Sequence, residues 1–433
     1  MEDLRDSLKY LSPVLTKHTD LIIKKGKGLY IYDINDIKYI DLVQGIATNP
    51  LGHCYPAIVK AIKKQVDILI GGSFSYLNFP STLKLLNILQ EFLPRDLNTI
   101  LFSNSGGEAN EGAIKLAKFY TKRQGIISFL GAYHGRNYGA LSATTVSSSG
   151  RSSSGSLMSD FYILPYPAEN QCPMGYNKRE ISNYVLNEME KLFKYVISPE
   201  NVAGIIIEPL LGDGGYYVPE EYFMKKLREI SKKYGILLIF DEVQSGYGRT
   251  GKMFAFEHFG ISPDILTIGK PMASGLPMSA LISTKEIMKN WTAGKHGGST
   301  FTGNPVCSAA AYELLSQYKK QNLIEKSSQK GEYLKAQLLI LLKKYDILKE
   351  VRGLGLMLGL EFNSYEELSS TEVYKRVREI LLKNKMLVAT CGLENNVLRF
   401  IPPLNITKKQ IDEVIKILNK SILEFYKQVN TIS

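Results

Sequence analysis

Two segments of the 433-residue chain end on side chains suited to chemistry on a small molecule. IFDEVQSGYGRTG, Ile239 to Gly251, closes an apolar run on Asp241, and DILTIGKPMASGLP, Asp264 to Pro277, closes a second on Lys270. If both runs are strands of one parallel sheet, their carboxyl ends open into the same crevice, so a carboxylate and an amine meet there. An amine so placed can condense with a carbonyl, and a buried carboxylate can keep a ring nitrogen protonated. A structural Asp-Lys ion pair is the plainer alternative.

Two further segments bear on that choice. SNSGGEANEGAIKLAKFY, Ser103 to Tyr120, turns through Gly106 and Gly107 into an amphipathic helix, whose free amides and dipole make a cradle for an anion, most naturally a phosphate. A tight turn with glycines for steric reasons alone reads the same way. GAYHGR, Gly131 to Arg136, sets Tyr133, His134 and Arg136 just past another strand end, where either ring could stack on a planar ligand. Amine, carboxylate and phosphate cradle form the set that a pyridoxal phosphate enzyme needs, and their joint presence outweighs the ion-pair reading. Two nucleotide-site lookalikes fail. GYGRTGKM, Gly246 to Met253, has GxxxxGK spacing, but Met253 stands where a magnesium-binding Ser or Thr belongs and no clear helix follows. GLGLMLG, Gly353 to Gly359, has one residue too many for GxGxxG and runs into strand-like sequence.

The elements that must position these groups are legible as short apolar runs separated by amphipathic stretches. The runs are Thr99 to Asn104, Gly125 to Leu130, Phe161 to Tyr166, Ala203 to Pro209, Ile236 to Glu242 and Asp264 to Gly269. Continuous apolar strands alternating with helices predict a sheet buried on both faces, mainly parallel and doubly wound. Before them, LYIYDI (Leu29 to Ile34) and KYIDLV (Lys38 to Val43) alternate around Asn35 and Asp36 and predict a β-hairpin. After Pro305 come a long helix (Val306 to Asn322), a Gly-rich strand (Val351 to Phe362) and a closing helix from Lys408, the pattern of a smaller α+β domain. The expected division is residues 1–50 as an N-terminal hairpin segment belonging to the small domain, 51–305 as the large domain, and 306–433 as the small one. SATTVSSSGRSSSGS, Ser142 to Ser156, offers little apolar area and is expected to be a mobile surface loop.

Composition excludes several classes of function. Lys and Arg total 53 against 42 acidic residues, a net +11, but the lysines are scattered, which suits small anionic substrates and not nucleic acid. Four cysteines lie far apart without a CxxC pair, and five histidines show no HxxxH spacing, so neither a disulfide framework nor a metal site is expected. No apolar run approaches the roughly 20 residues of a membrane span. The N-terminus MEDLRDSLKY has no signal-like apolar region, so a cytoplasmic protein is expected.

The ordered motifs resemble one family closely. From LGHCYPAIVKAI at Leu51 through SNSGGEA, GAYHGR, AGIIIEPLLGDGG, FDEVQSGYGRTGKMFAFEHFG, the Lys270 run, GGSTFTGNP (Gly297 to Pro305), VRGLGLM and LRFIPPLNI (Leu398 to Ile406), the chain is similar to class III, fold type I pyridoxal phosphate aminotransferases. That group includes the 4-aminobutyrate, ornithine and acetylornithine enzymes. The resemblance implies that Lys270 carries the cofactor as a Schiff base and that Asp241 pairs with its ring nitrogen. Val243 and Tyr133 would cover the two ring faces with His134 alongside, and Gln244 would bond the phenolic oxygen. Gly106 and Gly107 would hold the phosphate together with Thr300 of the partner subunit, so a homodimer or a dimer of dimers is implied. Arg399 would clamp the substrate α-carboxylate, Arg136 a distal carboxylate, and Glu208 is the inner acid.

Three positions depart from the family pattern. Pro271 follows the lysine where Ala or Gly is usual, and Asn137 follows Arg136 where Thr is common. Asp213 replaces the Glu that serves as a gate on the α-carboxylate arginine. In related racemases and epimerases an Asp here looks like a second base. The expected activity is transamination of 4-aminobutyrate or ornithine type with 2-oxoglutarate as acceptor, by a ping-pong route. The alternative is an amino-acid racemase or 2-epimerase working through Lys270 and Asp213. A binding protein without cofactor is disfavoured by the presence of both Asp241 and Lys270.

Overall fold

The computed structural model describes residues 4–294 and 299–430. Strands β1 (Ile23–Lys27), β2 (Tyr30–Asp33) and β3 (Lys38–Asp41) pair antiparallel in series, so the expected hairpin is present with one strand added in front of it. Asp33 shapes its turn by accepting the amides of Asn35 and Ile37 at 2.9 Å each.

The central sheet has seven strands: β4 (Thr99–Ser103), β5 (Gly125–Phe129), β6 (Phe161–Leu164), β7 (Val202–Ile207), β8 (Leu237–Asp241), β9 (Ile265–Ile268) and β10 (Ser279–Ser283). Their spatial order is β4-β10-β9-β8-β7-β5-β6, and only β10 runs antiparallel to its neighbours. All six expected runs are strands; β10, a short run bounded by serines, was not expected. Both faces are buried, because Leu238 and Phe240 enter the main core while Leu237 and Ile239 enter a second cluster with Ala113, Ile114 and Ala117 of the helix Gly106–Thr121. The fold is α/β of fold type I, with a large doubly wound, mainly parallel sheet.

The remaining strands are β11 (Leu348–Leu354), β12 (Met357–Phe362), β13 (Met386–Leu387), β14 (Ala389–Cys391) and β15 (Val397–Phe400). β13 runs parallel to β3 and joins the first sheet. The other four form an antiparallel sheet in the order β11-β12-β15-β14, flanked by the helices Leu323–Lys344 and Ser370–Lys383. Here the sequence reading needs correction: the single strand expected over Val351 to Phe362 is a hairpin. It turns at Gly355, whose φ of +54° and contact with the Thr250 backbone leave no room for a side chain. The expected helices are present as Pro305–Gln321 and Lys408–Asn430.

The serine-rich stretch is also more built-in than its composition suggests. Ser142, Ala143 and Thr144 are buried. Arg151 donates to the carbonyls of Leu141, Ser142 and Thr144 at 3.3, 3.0 and 2.6 Å, so one guanidinium ties the stretch to the end of the helix Tyr138–Ala143. Among the described residues no helix is long and apolar enough to cross a membrane.

Candidate active site

A cleft of about 300 Å³ lies at the carboxyl ends of the parallel strands. Gly106 and Gly107, Tyr133, His134, Arg136, Glu208, Asp213, Asp241, Val243, Gln244 and Lys270 all line it, so the structure gathers eleven of the thirteen residues singled out from the sequence. Arg399 reaches it through Asp213. Thr300 is exposed and is not among the lining residues. The expected motif Gly297 to Pro305 lies only partly within the described residues, because Gly297 and Gly298 fall outside them.

The expected anion cradle starts from a helix cap. Ser105 takes an extended conformation and accepts the amide of Glu108 at 3.2 Å, which starts the helix just as β4 ends. Glu108 folds back onto Asn104 N at 3.1 Å. A Cβ at Gly106 would come within 2.7 Å of Val243 Cγ1, and one at Gly107 within 2.7 Å of Asn137 Oδ1. Only glycines leave the first amides of this helix open to an anion.

Asp241 ends β8 and is 3% exposed. Its Oδ2 accepts from Asn110 Nδ2 at 2.7 Å and meets His134 Nδ1 at 2.8 Å, while Oδ1 accepts Val243 N at 3.0 Å. Asn110 is itself fixed, donating to His134 O and accepting from Thr267 Oγ1, both at 2.7 Å. Asn110 and Thr267 were missed from the sequence. The one available signal is that Asn110 is polar on the helix face that otherwise shows Ala109, Ala113 and Ile114 to the sheet.

Lys270 follows β9 and has φ +38°, a left-handed conformation that an L side chain resists and that the next residue, Pro271, disfavours further. Strain of this kind is retained where a side chain must be aimed. Burial pushes the Lys270 amine below its usual pKa; Arg399 adds to this, while Asp213, Glu208 and Asp241 act in the opposite direction. Burial, then the Asp241 charge, pushes Glu208 up to about 8, although its oxygens accept the amides of Tyr133 and Gly212 at 3.0 Å each.

Asp213 is the outermost acid of the set, its side chain 28% exposed, and Oδ1 accepts Arg399 Nη1 at 2.5 Å. Burial works against its ionisation, but Arg399 and then Lys270 outweigh it and hold the carboxyl below its usual range. Arg399 projects from β15 and is 8% exposed.

These residues fit pyridoxal 5′-phosphate on the chain's own chemistry. Two buried polar atoms of cleft-lining side chains, His134 Nε2 and Gln244 Oε1, have no hydrogen-bond partner among the described residues, the mark of a place where a ligand completes the set. Glycine amides suit its phosphate, Asp241 its ring nitrogen, Tyr133 and Val243 its ring faces, and the Lys270 amine its aldehyde.

Comparison with known proteins agrees with this fit. The family described as Aminotransferase class-III matches residues 12–422. A leucine/methionine racemase of Thermococcus litoralis is 36% identical over 94% of this chain and 91% of its own length. An acetylornithine aminotransferase of Methanocaldococcus jannaschii is 38% identical over 94% of each chain. Among solved structures, an omega transaminase from Pseudomonas jessenii in complex with PMP superposes with a TM-score of 0.90 at 25% identity, over 98% of both chains. The chain belongs to the class-III aminotransferase family, whose cofactor is pyridoxal 5′-phosphate.

Proposed function

We propose that this enzyme transfers the amino group of a 4-aminobutyrate- or ornithine-type donor to 2-oxoglutarate, and that Asp213 gates the site between the two. The observation that carries this reading is the Asp213–Arg399 pair at the cleft. Arg399 is buried, so it needs an anionic partner at every stage. A donor whose reacting carbon bears no carboxylate leaves Asp213 in that role. An α-carboxylate, as in 2-oxoglutarate or glutamate, displaces Asp213 and takes the bidentate guanidinium. Arg136, exposed at the cleft, is then the partner for a distal carboxylate.

The bound cofactor supplies an aldehyde that receives the amino group and a protonated ring that draws electrons from the substrate carbon. Asn110 and the Val243 amide satisfy the buried Asp241 carboxyl and hold it in place at the cleft. Lys270 Nζ, its basicity lowered by burial, takes the proton from the carbon that carries the amine.

Racemisation is the second reading, favoured by Asp213 itself and by the racemase among the relatives. It needs an acid on the substrate face opposite Lys270. The Asp213–Arg399 ion pair, which gives the carboxylate a partner when no α-carboxylate is bound, supports the gate in preference. The test is a donor panel with 2-oxoglutarate, scored by glutamate formed. Transfer from ω-amines supports the proposal; amino acids that invert at rates well above any transfer overturn it.

A homodimer is part of the same proposal. Ile68, Ile70, Tyr76, Leu77 and Phe301 are apolar and more than half exposed, which suits a second copy of this chain, with Thr300 beside Phe301 completing the partner's phosphate site. Sedimentation as a dimer supports it and an active monomer refutes it. The four free thiols suit a cytoplasmic enzyme.

A further inference from the structure

Asp213 sits in a segment, Glu208 to Tyr217, that closes on itself. Tyr216 N donates to Leu211 O at 2.8 Å, Leu211 N to Tyr217 O at 3.0 Å, and Gly215 N to Gly212 O at 3.0 Å. Two more carbonyls of this segment are held from the antiparallel sheet. Gly392 N donates to Asp213 O at 2.9 Å, and Arg352 Nε donates to Gly215 O at 2.6 Å.

Strand register explains the second donor. Arg352 on β11 lies opposite Gly359 on β12, and Gly359 lies opposite Arg399 on β15. Residues directly opposed across a sheet share a face, so two arginines flank a position that has no side chain. Tyr216 occupies that gap: a Cβ on Gly359 would lie 3.4 Å from Tyr216 Cβ. Arg399 therefore grips the segment by the Asp213 carboxylate, and Arg352 grips it by the Gly215 carbonyl. Arg352 is itself immobilised. It is 7% exposed, its Nη1 bonds Glu350 at 2.7 Å and also Glu361, and its Cζ lies 3.9 Å from the centre of the Tyr217 ring.

We infer that Arg352 is a positioning residue for the gate: by holding the Gly215 carbonyl it sets the reach of Asp213 to Arg399, and with it the preference between ω-amine and α-carboxylate substrates. The inference rests on the gate reading above. An aspartate has one methylene fewer than a glutamate with which to correct a misplaced backbone, so backbone placement must supply the reach. Loosening the segment penalises substrates that need Asp213 on Arg399 and spares those that displace it.

The test compares kcat/KM for 4-aminobutyrate and L-glutamate in the holoenzyme of wild type, Arg352→Lys, Asp213→Ala and the double variant. The lysine keeps a cation beside Glu350 and Glu361 but has no second nitrogen for Gly215 O. The expected result is a fall of about tenfold in the ratio of 4-aminobutyrate to glutamate for Arg352→Lys, the loss of one charge-assisted hydrogen bond. Asp213→Ala should shift the ratio at least as far, with no further shift in the double variant. Equal losses for both substrates would mean a purely structural role and overturn the inference. If Asp213→Ala shifts the ratio and Arg352→Lys does not, the inference falls and the gate stands; if Asp213→Ala leaves it unchanged, both fall. Should the lysine variant not fold, Tyr217→Leu, which frees the guanidinium on one side, is expected to shift the ratio in the same direction, and an unchanged ratio overturns the inference.

Discussion

The floor of the cleft and its rim are held in different ways. On the floor, Asp241 is 3% exposed and satisfied by Asn110, His134 and a backbone amide, and Asn110 is anchored in turn by Thr267. At the rim, Asp213 keeps 28% of its side chain exposed, Arg136 is open to solvent, and the main grip on Asp213 comes from another sheet. On the proposed reading, a floor so constrained suits one invariant partner, the cofactor. On the same reading, a rim built on the Asp213–Arg399 ion pair suits partners that change during turnover.

Substitutions at the floor should therefore be severe and indifferent to substrate. In the proposed mechanism, Lys270→Ala removes both the amine for the cofactor and the base. Turnover is expected to fall by about 10³-fold or more, and borohydride treatment should no longer leave cofactor mass on the chain. Label found on another lysine would contradict the assignment. Asp241→Ala strips a buried network of its charge, a loss of about 3 to 5 kcal/mol. Cofactor content and turnover should drop together for every donor, and normal values of both would refute the role given to Asp241.

Asn110→Ala probes how far the floor's rigidity depends on its supports. It leaves Asp241 with one side-chain partner fewer, which should cost about 1 to 3 kcal/mol. Activity should fall equally for ω-amines and α-amino acids; a change in their ratio would blur the division between floor and rim.

The smallest effect concerns pH. Glu208 has an unfolded value of 4.5 and is pushed up to about 8 in the fold, so the folded chain binds that proton more tightly. The stability it contributes is present in full below about 4.5 and is lost as pH rises toward and through 8. In Glu208→Gln the thermal midpoint should decline less between pH 5 and pH 8 than in wild type, by roughly 4 °C. The level drops in any case, because an amide cannot accept both N–H groups; the slope is the readout. An unchanged slope would show that Glu208 stays ionised.

The same division governs what the sequence discloses. Strands β4 to β9 are readable because each is a continuous apolar run, and Lys270 and Asp241 because they end such runs. β10 escapes notice because SALIS is five residues with a serine at each end. The hairpin of β11 and β12 reads as one strand because its turn, at Gly355, lies among glycines that also suit a strand. Arg151 fixes the serine-rich stretch through three carbonyl bonds, a contribution that counting apolar residues omits. Asn110 and Thr267 stand 157 positions apart and acquire a role only when folding brings them to Asp241. The place of Asp213 opposite Arg399 is implied in the sequence only by the family resemblance, and the fold shows the contact itself.

The central claim, that Asp213 gates Arg399 and is not a second base, is tested most directly in deuterium oxide. A single L-amino acid is incubated with wild type and with Asp213→Asn in the absence of any 2-oxo acid, and both hydrogen exchange at the α-carbon and D-isomer are measured. A gate predicts that both enzymes exchange the α-hydrogen through Lys270 and that neither accumulates D-isomer. D-isomer formed by wild type and abolished in Asp213→Asn, with exchange retained, would contradict it.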